Sequence, residues 1–143
     1  MPAGLHIKYL YHDNDIIEVE VFVGNSRFCG TARVYVGIGQ LSEAAALLKG
    51  FPQRSSDTRE IVLGAFGREF AGGGVRLHFY CKDLAGHAVV EATIEADHIG
   101  EKPAESAVVL ANIEPASLDL FLPQLLLLEA ELNGVASLRI LDN

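Results

Sequence analysis

The sequence predicts an α+β fold: a mostly antiparallel meander sheet of about six to eight strands, with two helices packed on it. Several segments alternate apolar and polar residues with period two, which is typical of half-buried strands. Short turns rich in glycine join most of these segments, and such direct connections produce antiparallel hairpins. Two further segments repeat apolar residues at helical spacing instead.

The first hairpin is the clearest strand pair. Residues 17–23 carry Ile or Val at every odd position, and residues 28–36 continue the alternation after a Gly-Asn-Ser turn. The registers that keep both apolar faces together place Arg33 opposite Glu18 or Glu20. Residues 5–11 form a further candidate strand that precedes this hairpin.

A short helix is predicted over residues 41–49, where Ala and Leu predominate. Gly50 is placed to end it in the left-handed conformation, and Pro52 cannot continue it. Three further strands are predicted at residues 60–70, 75–82 and 90–97, with tight turns at 71–74 and 83–86. The outer face of the second of these strands is basic and that of the third is acidic, which favours their antiparallel pairing.

A strand over residues 107–113 leads into the second helix, which is predicted to begin at 114–117 and to end at Asn133-Gly134. Pro123 lies inside this helix and is expected to kink it or to mark a late start. A final strand is predicted over residues 135–141. The helix carries one apolar stripe that should pack on the sheet: Leu118, Phe121, Leu122, Leu125, Leu128 and Leu132.

Two leucines of the second helix lie outside that stripe. Leu120 and Leu127 share a side with Gln124 and Glu131, where a surface helix normally carries polar residues. Either a loop such as residues 97–105 covers these leucines, or they form an exposed patch that binds a second chain. The candidate partner-binding residues are therefore Leu120, Gln124, Leu127 and Glu131.

Size and composition indicate one globular domain, residues 1–143. Half of the residues are hydrophobic and 21% are charged, and a chain of this length buries enough surface to fold without disulfide or metal. No apolar run approaches the ~20 residues of a membrane-spanning helix, and no secretory signal is recognised. Cys29 and Cys81 are therefore expected to be free thiols in a cytoplasmic protein.

The charge of the chain narrows its partners. A net charge of −8 and a pI near 5.0 argue against binding to nucleic acid or to an anionic membrane. The last 43 residues hold seven acidic and two basic side chains, so most of the excess lies in the C-terminal third. This distribution suits either solubility or attraction to a basic protein.

No recognisable catalytic motif is present, and no cofactor or metal is expected. The five histidines show no ligand spacing, and residues 12–15 lack the Gly and Glu that a calcium loop needs, which favours a β-turn. Gly72-Gly73-Gly74 lies between two strands and is interpreted as a hairpin loop, because a phosphate cradle would precede a helix. Cys29 lies near Arg27 and Arg33, but no base that would activate it as a nucleophile is identifiable.

Four polar side chains are predicted to share the outer face of the sheet. Arg76, His78 and Tyr80 face outward from one strand, and Glu91 faces outward from the next. Their convergence, together with a pocket between the sheet and the C-terminal helix, would be expected of a small-molecule-binding or enzymatic domain.

The order of elements resembles the WapI-like immunity proteins and related small bacterial α+β domains. Three stretches carry the resemblance: the hairpin and helix of residues 16–50, the glycine-rich turn and meander of 72–97, and the strand and leucine-rich helix of 108–132, with Ser117-Leu118-Asp119-Leu120-Phe121 near its start. The resemblance implies a non-enzymatic protein that binds and neutralises a toxin. It assigns no functional residue.

The sequence therefore favours a non-catalytic protein-binding domain, immunity-like, that inhibits a basic toxin or effector. Two alternatives stay open. One is a small-molecule-binding or enzymatic domain with its pocket between the sheet and the C-terminal helix, and the other is a homodimeric accessory protein.

Overall fold

The computed structural model describes residues 2–67, 69–98 and 104–141. Within them the chain forms two helices, α1 (Gln40–Leu48) and α2 (Pro115–Glu131). The strands are β1 (Gly4–His12), β2 (Ile16–Gly24), β3 (Cys29–Gly37), β4 (Thr58–Gly64), β5 (Gly74–Cys81), β6 (Ala88–Glu95), β7 (Ser106–Ile113) and β8 (Val135–Leu138). The α+β class, the antiparallel pairing and the two helices are thus confirmed.

The predicted meander of six to eight strands is matched only in part, because the eight strands form two antiparallel sheets of four and not one sheet. Sheet A has the order β3-β2-β1-β8, and sheet B has the order β4-β5-β6-β7. Each sheet has one apolar face, and two sheets bury these faces against each other. Strand β3 contacts all four strands of sheet B, so the two sheets cross at a steep angle.

The first hairpin has one of the two predicted registers. Glu20 lies opposite Arg33 in the β2–β3 ladder, and the Arg33 Nε is 3.9 Å from a Glu20 carboxylate oxygen. Both side chains lie on the outer face of sheet A, where solvent screens the pair and leaves it worth little. Matching of the apolar faces, rather than this ion pair, therefore sets the register.

The predicted apolar stripe of α2 lies in the core. Leu118, Phe121, Leu122, Leu125 and Leu128 are buried, and Leu132 packs partly buried against the same cluster. Pro115 occupies the first turn of α2, and Pro123 lies inside the helix. The helix ends at Leu132, which takes a left-handed φ of 52° just before the predicted Asn133-Gly134 stop.

Strand β4 is shorter than predicted. It ends at Gly64, whose φ is +72°, and the chain reaches the free edge of β3 at Gly73 before it enters β5. The Gly73 N–H donates to the Arg33 carbonyl at 2.7 Å, and the Arg33 N–H donates to the Asp97 carboxylate at 3.1 Å. A Cβ on Gly73 would lie 2.3 Å from the Glu95 carbonyl oxygen, so this close approach requires glycine. Gly72 and Gly73 therefore lie in the connection of the β4–β5 hairpin, as predicted, but the tight turn predicted at 71–74 is wrong, because the connection begins after Gly64 and Gly74 already belongs to β5.

The other edge of sheet A is closed by α2. Helix α2 packs against β8, and the Gln124 side-chain oxygen accepts the Ser137 N–H at 3.0 Å. The final strand, predicted over residues 135–141, is shorter in the structure, because the chain leaves sheet A after β8. Leu141 instead donates its N–H to the carbonyl of Asn112 in β7.

Candidate functional site

The four polar residues predicted on the outer sheet face lie together on sheet B. Glu91 is opposite His78 in the β5–β6 ladder, and Arg76, His78 and Tyr80 alternate along β5. With Thr93 they line a shallow, open depression of about 370 Å³. No helix packs on this side of the sheet among the element contacts of the described residues.

Three of these four side chains already have partners. The Arg76 Nε is 3.0 Å from a Glu60 carboxylate oxygen, and its guanidinium lies 5.2 Å from the centre of the Phe66 ring. The His78 and Tyr80 rings are tilted against each other with centroids 5.3 Å apart. The cluster is thus an exposed polar surface and does not enclose a substrate-sized volume.

Most of the histidines form hydrogen bonds within the protein. Four of the five have a polar partner within 3.1 Å, and His78 is the one placed beside Tyr80. The pairs are His6 with Ser137 and the Pro2 carbonyl, His12 with Tyr9, His87 with Asp83, and His98 with Glu95. Among residues 2–67, 69–98 and 104–141, no three His, Cys, Asp or Glu side chains are grouped as metal ligands.

The two cysteines are free thiols, as predicted. Burial raises the pKa of the Cys81 thiol, and the negative charges of Asp57 and Asp83 raise it further, so Cys81 is a poor nucleophile at neutral pH. The predicted turn at residues 12–15 is also present. The Asp13 carboxylate accepts the N–H groups of Asp15 and Ile16, which lowers the pKa of Asp13.

The two leucines that lie outside the predicted apolar stripe of α2 are both exposed. Leu120 leaves 66% of its surface in solvent, and Leu127 leaves 55%. The loop considered as their cover, residues 97–105, lies partly outside the described residues, at 99–103. Within the described residues, the patch is open.

The four candidate partner-binding residues divide into two kinds. Glu131 is exposed beside the leucines. Gln124, by contrast, uses both ends of its amide inside the protein: its oxygen accepts the Ser137 N–H, and its nitrogen donates to the Leu120 carbonyl. Gln124 therefore holds α2 on β8 and offers little to a partner.

The sequence reasoning missed the rest of this surface. Leu126 is 46% exposed, and Pro123 is exposed between the leucines. We call Leu120, Pro123, Leu126 and Leu127 the α2 apolar face. It continues into a groove of about 380 Å³ between α1 and α2, where small side chains of α1 leave room beside Leu122. The available signal was that Leu126 also falls outside the predicted stripe.

Charged residues surround the α2 apolar face unevenly. Asp119 and Glu131 lie beside it on α2, and Lys49 is the one basic residue that lines the groove. A third acid of α2, Glu129, is already used: its carboxylate accepts the Leu41 N–H at 3.0 Å and the Ser42 hydroxyl. The charge left available beside the leucines is therefore mainly negative.

The C-terminal end of α1 is also held by a side chain from outside the helix. One guanidinium nitrogen of Arg59 donates to the Leu47 and Lys49 carbonyls at 2.9 and 3.0 Å, and the rest of the group pairs with Asp57. A carboxylate thus lies at the N-terminus of α1 and a guanidinium at its C-terminus, which suits the helix dipole. These contacts fix the wall of the groove that α1 forms.

No protein-family model, curated protein or solved structure matches this chain. The resemblance to WapI-like immunity proteins therefore stays a prediction from the sequence. Neither α1 nor α2 has the length and apolar character that crossing a bilayer requires.

Proposed function

We propose that this protein is a non-catalytic protein-binding domain, and that its α2 apolar face docks on an apolar surface of a basic partner protein. The observation that carries the proposal is the exposure of three leucines on one side of a single helix. A helix that is apolar on all sides is normally buried on all sides, and α2 is buried on only one.

The size of the patch supports a binding role. Leu120, Leu126 and Leu127 together leave roughly 300 Å² of apolar surface in water, a size at which the largest patch of a single-chain protein is often functional. A specific interface buries about 800 Å² on each partner. The leucines would supply its apolar centre, and the groove beside Leu122 would receive one large side chain.

Charge favours a basic partner over a second copy of this chain. Asp119 and Glu131 lie beside the leucines, and each copy carries a net charge of −8. Two copies that met through this face would bring like charges together, whereas a basic surface would be attracted. The sequence resemblance implies a toxin as the partner, and a basic toxin or effector has the chemistry that this charge favours.

A direct test uses a designed partner of known chemistry. The probe is a fluorescent amphipathic helical peptide built from Leu and Lys, and its matched control replaces every Lys by Glu. We expect the Leu/Lys peptide to bind the wild-type chain, and Leu127→Glu to weaken binding at least tenfold, because one buried leucine is worth about 1.5–3 kcal/mol. The Leu/Glu peptide should bind much more weakly.

Leu84→Glu is the matched control variant. Leu84 is 94% exposed on the β5–β6 turn, so this substitution adds the same charge and removes an exposed leucine elsewhere. Equal binding of the peptide to wild type and to Leu127→Glu would overturn the proposal. So would light scattering that finds a wild-type dimer and a folded, monomeric Leu127→Glu, because the occupant would then be a second copy.

A further inference from the structure

A broad, open cleft of about 720 Å³ lies on the outer face of sheet A, bordered by residues 64–65 and 70–71. It shares no lining residue with the α2 apolar face. Its walls carry three aromatic rings, from Tyr11, Tyr35 and Phe70, that are respectively 63%, 36% and 50% exposed. The same cleft holds the carboxylates of Asp13 and Glu18.

Three of these residues form one row across sheet A. Glu18 of β2 lies opposite Tyr11 of β1 on one side and opposite Tyr35 of β3 on the other. Directly opposed side chains have Cβ atoms about 4.5–5.5 Å apart. A group seated over the Glu18 carboxylate would therefore touch an aromatic ring on each side.

A β-bulge puts Tyr11 in this row. The ladder between β1 and β2 shifts between Tyr9 and Tyr11, which leaves Leu10 unpaired. Without this shift, strict alternation would set Leu10 opposite Glu18 and turn Tyr11 toward the inner face opposite Ile17. Bulges that re-aim a side chain are concentrated next to functional sites.

The Tyr35 ring is held in place by the glycine loop. A Cβ added to Gly72 would lie 2.8 Å from a Tyr35 ring carbon, so the bare Gly72 backbone packs closely beside that ring. Phe70, two residues before Gly72, also lines the cleft. The Tyr35 ring is therefore positioned before any ligand arrives, which lowers the entropic cost of binding.

The charged side chains among the described residues that line the cleft are both acidic. No Lys, Arg or His is found among its described lining residues. Hydrogen bonds from the backbone N–H groups of Asp15 and Ile16 lower the pKa of Asp13 and keep its carboxylate ionised at neutral pH. Among the described residues, Lys8 and Arg33 belong to the next row, where both flank Glu20. The His12 ring lies 6.4 Å from the Tyr11 ring, centre to centre, and its ring nitrogen is hydrogen-bonded to the Tyr9 hydroxyl.

We propose that this cleft binds an alkylammonium group, which Glu18 neutralises and the Tyr11 and Tyr35 rings cover. Aromatic faces attract such cations through their quadrupole, and quaternary ammonium groups are typically recognised by aromatic side chains. An anion would be repelled here, and a purely apolar ligand would leave the carboxylates desolvated without a partner. The cation can belong to a lysine side chain of a protein or to a free small molecule.

The first experiment is an NMR titration of the ¹⁵N-labelled chain with choline and with its neutral isostere 3,3-dimethylbutanol. We expect saturable shifts confined to the Tyr11–Glu18–Tyr35 row and Phe70 with choline alone, at roughly millimolar affinity given a few weak contacts. Tyr11→Leu should weaken choline binding about two- to fivefold. An equal response to the isostere, or no saturable response to any cation, would overturn the proposal.

Glu18→Gln and Glu20→Gln form the matched pair of variants. They change net charge identically on the same strand, one inside the row and one beside it. Only Glu18→Gln should weaken choline binding, up to about fivefold. Equal weakening by both variants would mean that the negative charge of the protein attracts the cation without a specific site, and it would overturn the proposal. Peptides with trimethyllysine, lysine or norleucine then separate the sources. Tighter binding of trimethyllysine peptide than of choline supports a protein ligand, and the reverse order supports a small molecule.

Discussion

Replacement of Glu129 tests whether the contact between the two helices is as important as its geometry suggests. Its carboxylate accepts the Leu41 N–H at 3.0 Å and the Ser42 hydroxyl, and Gly39 at the start of α1 offers no side-chain cap. Loss of a helix cap costs about 1 kcal/mol, and hydrogen bonds to a charged group contribute about 1.5–3 kcal/mol. Because these terms overlap, we expect Glu129→Ala to lower the free energy of unfolding by about 2 kcal/mol.

The assay is urea unfolding followed by circular dichroism. The midpoint should fall while its denaturant slope stays constant, and the melting temperature should drop by roughly 8 °C for a domain of this size. Glu131→Ala is the control, because Glu131 is exposed on the same helix and should change stability by less than about 0.5 kcal/mol. Equal losses for the two variants, or no coupling between Glu129→Ala and Ser42→Ala in a double-mutant cycle, would refute the reasoning.

Three further outcomes follow from contacts described above. Arg59→Lys should destabilise the fold by about 1–2 kcal/mol in the same assay, because an ammonium cannot reproduce the guanidinium fork that joins two carbonyls and a carboxylate. Gly73→Ala should lower the free energy of unfolding by about 3 kcal/mol or more, since the new Cβ would meet the Glu95 carbonyl. The control Gly37→Ala should be nearly neutral, because a Cβ at Gly37 would enter open space, and comparable losses for the two variants would contradict this reasoning. The pKa of Glu95 is lowered, mainly because its carboxylate accepts the Gly67 N–H and secondly because it pairs with His98. The ionised carboxylate therefore stabilises the fold fully at pH values above the unfolded pKa of 4.5, and this stabilisation disappears as the pH falls through the lower folded pKa. The stability difference between wild type and Glu95→Gln should therefore shrink between pH 5 and pH 3, and a constant difference would argue against it.

Local patterns carried much of the fold. The alternation in residues 17–36 predicted a hairpin and two registers, and the structure has one of them. The apolar stripe of α2 was predicted residue by residue because helical geometry alone defines it. Both features depend on neighbours close in sequence, where period and turn chemistry are sufficient.

The division into two sheets had no such signal. Strand β8 pairs with β1 across most of the chain length, and a half-buried strand has the same pattern in one large sheet or in two packed sheets. The first strand of the second meander was predicted to run to residue 70, but β4 ends at Gly64, where a positive φ turns the backbone. Tertiary packing overrode the local preference there.

The candidate surfaces were predicted in part. The pattern of α2 identified Leu120 and Leu127 as surplus to the core, but only the three-dimensional structure could separate an exposed patch from a covered one. The charged groups that hold α1 come from Arg59 and from Glu129, which is 88 positions from its partner Leu41, a separation that no motif encodes. The aromatic row was hidden by the bulge at Leu10, because strict alternation assigns Tyr11 to the wrong face.

The pairing of β1 with β8 has a consequence for synthesis on the ribosome. Strands β1, β2 and β3 emerge first and can form a hairpin meander, but the second edge of β1 has no partner until β8 appears. At ~5–20 residues per second, that edge waits roughly 6 to 25 seconds after β1 itself is made. Helix α2, which shields β8, arrives in the same final stretch. The nascent chain thus carries an open strand edge, a site for pairing with other chains, throughout the synthesis of the residues between β1 and β8.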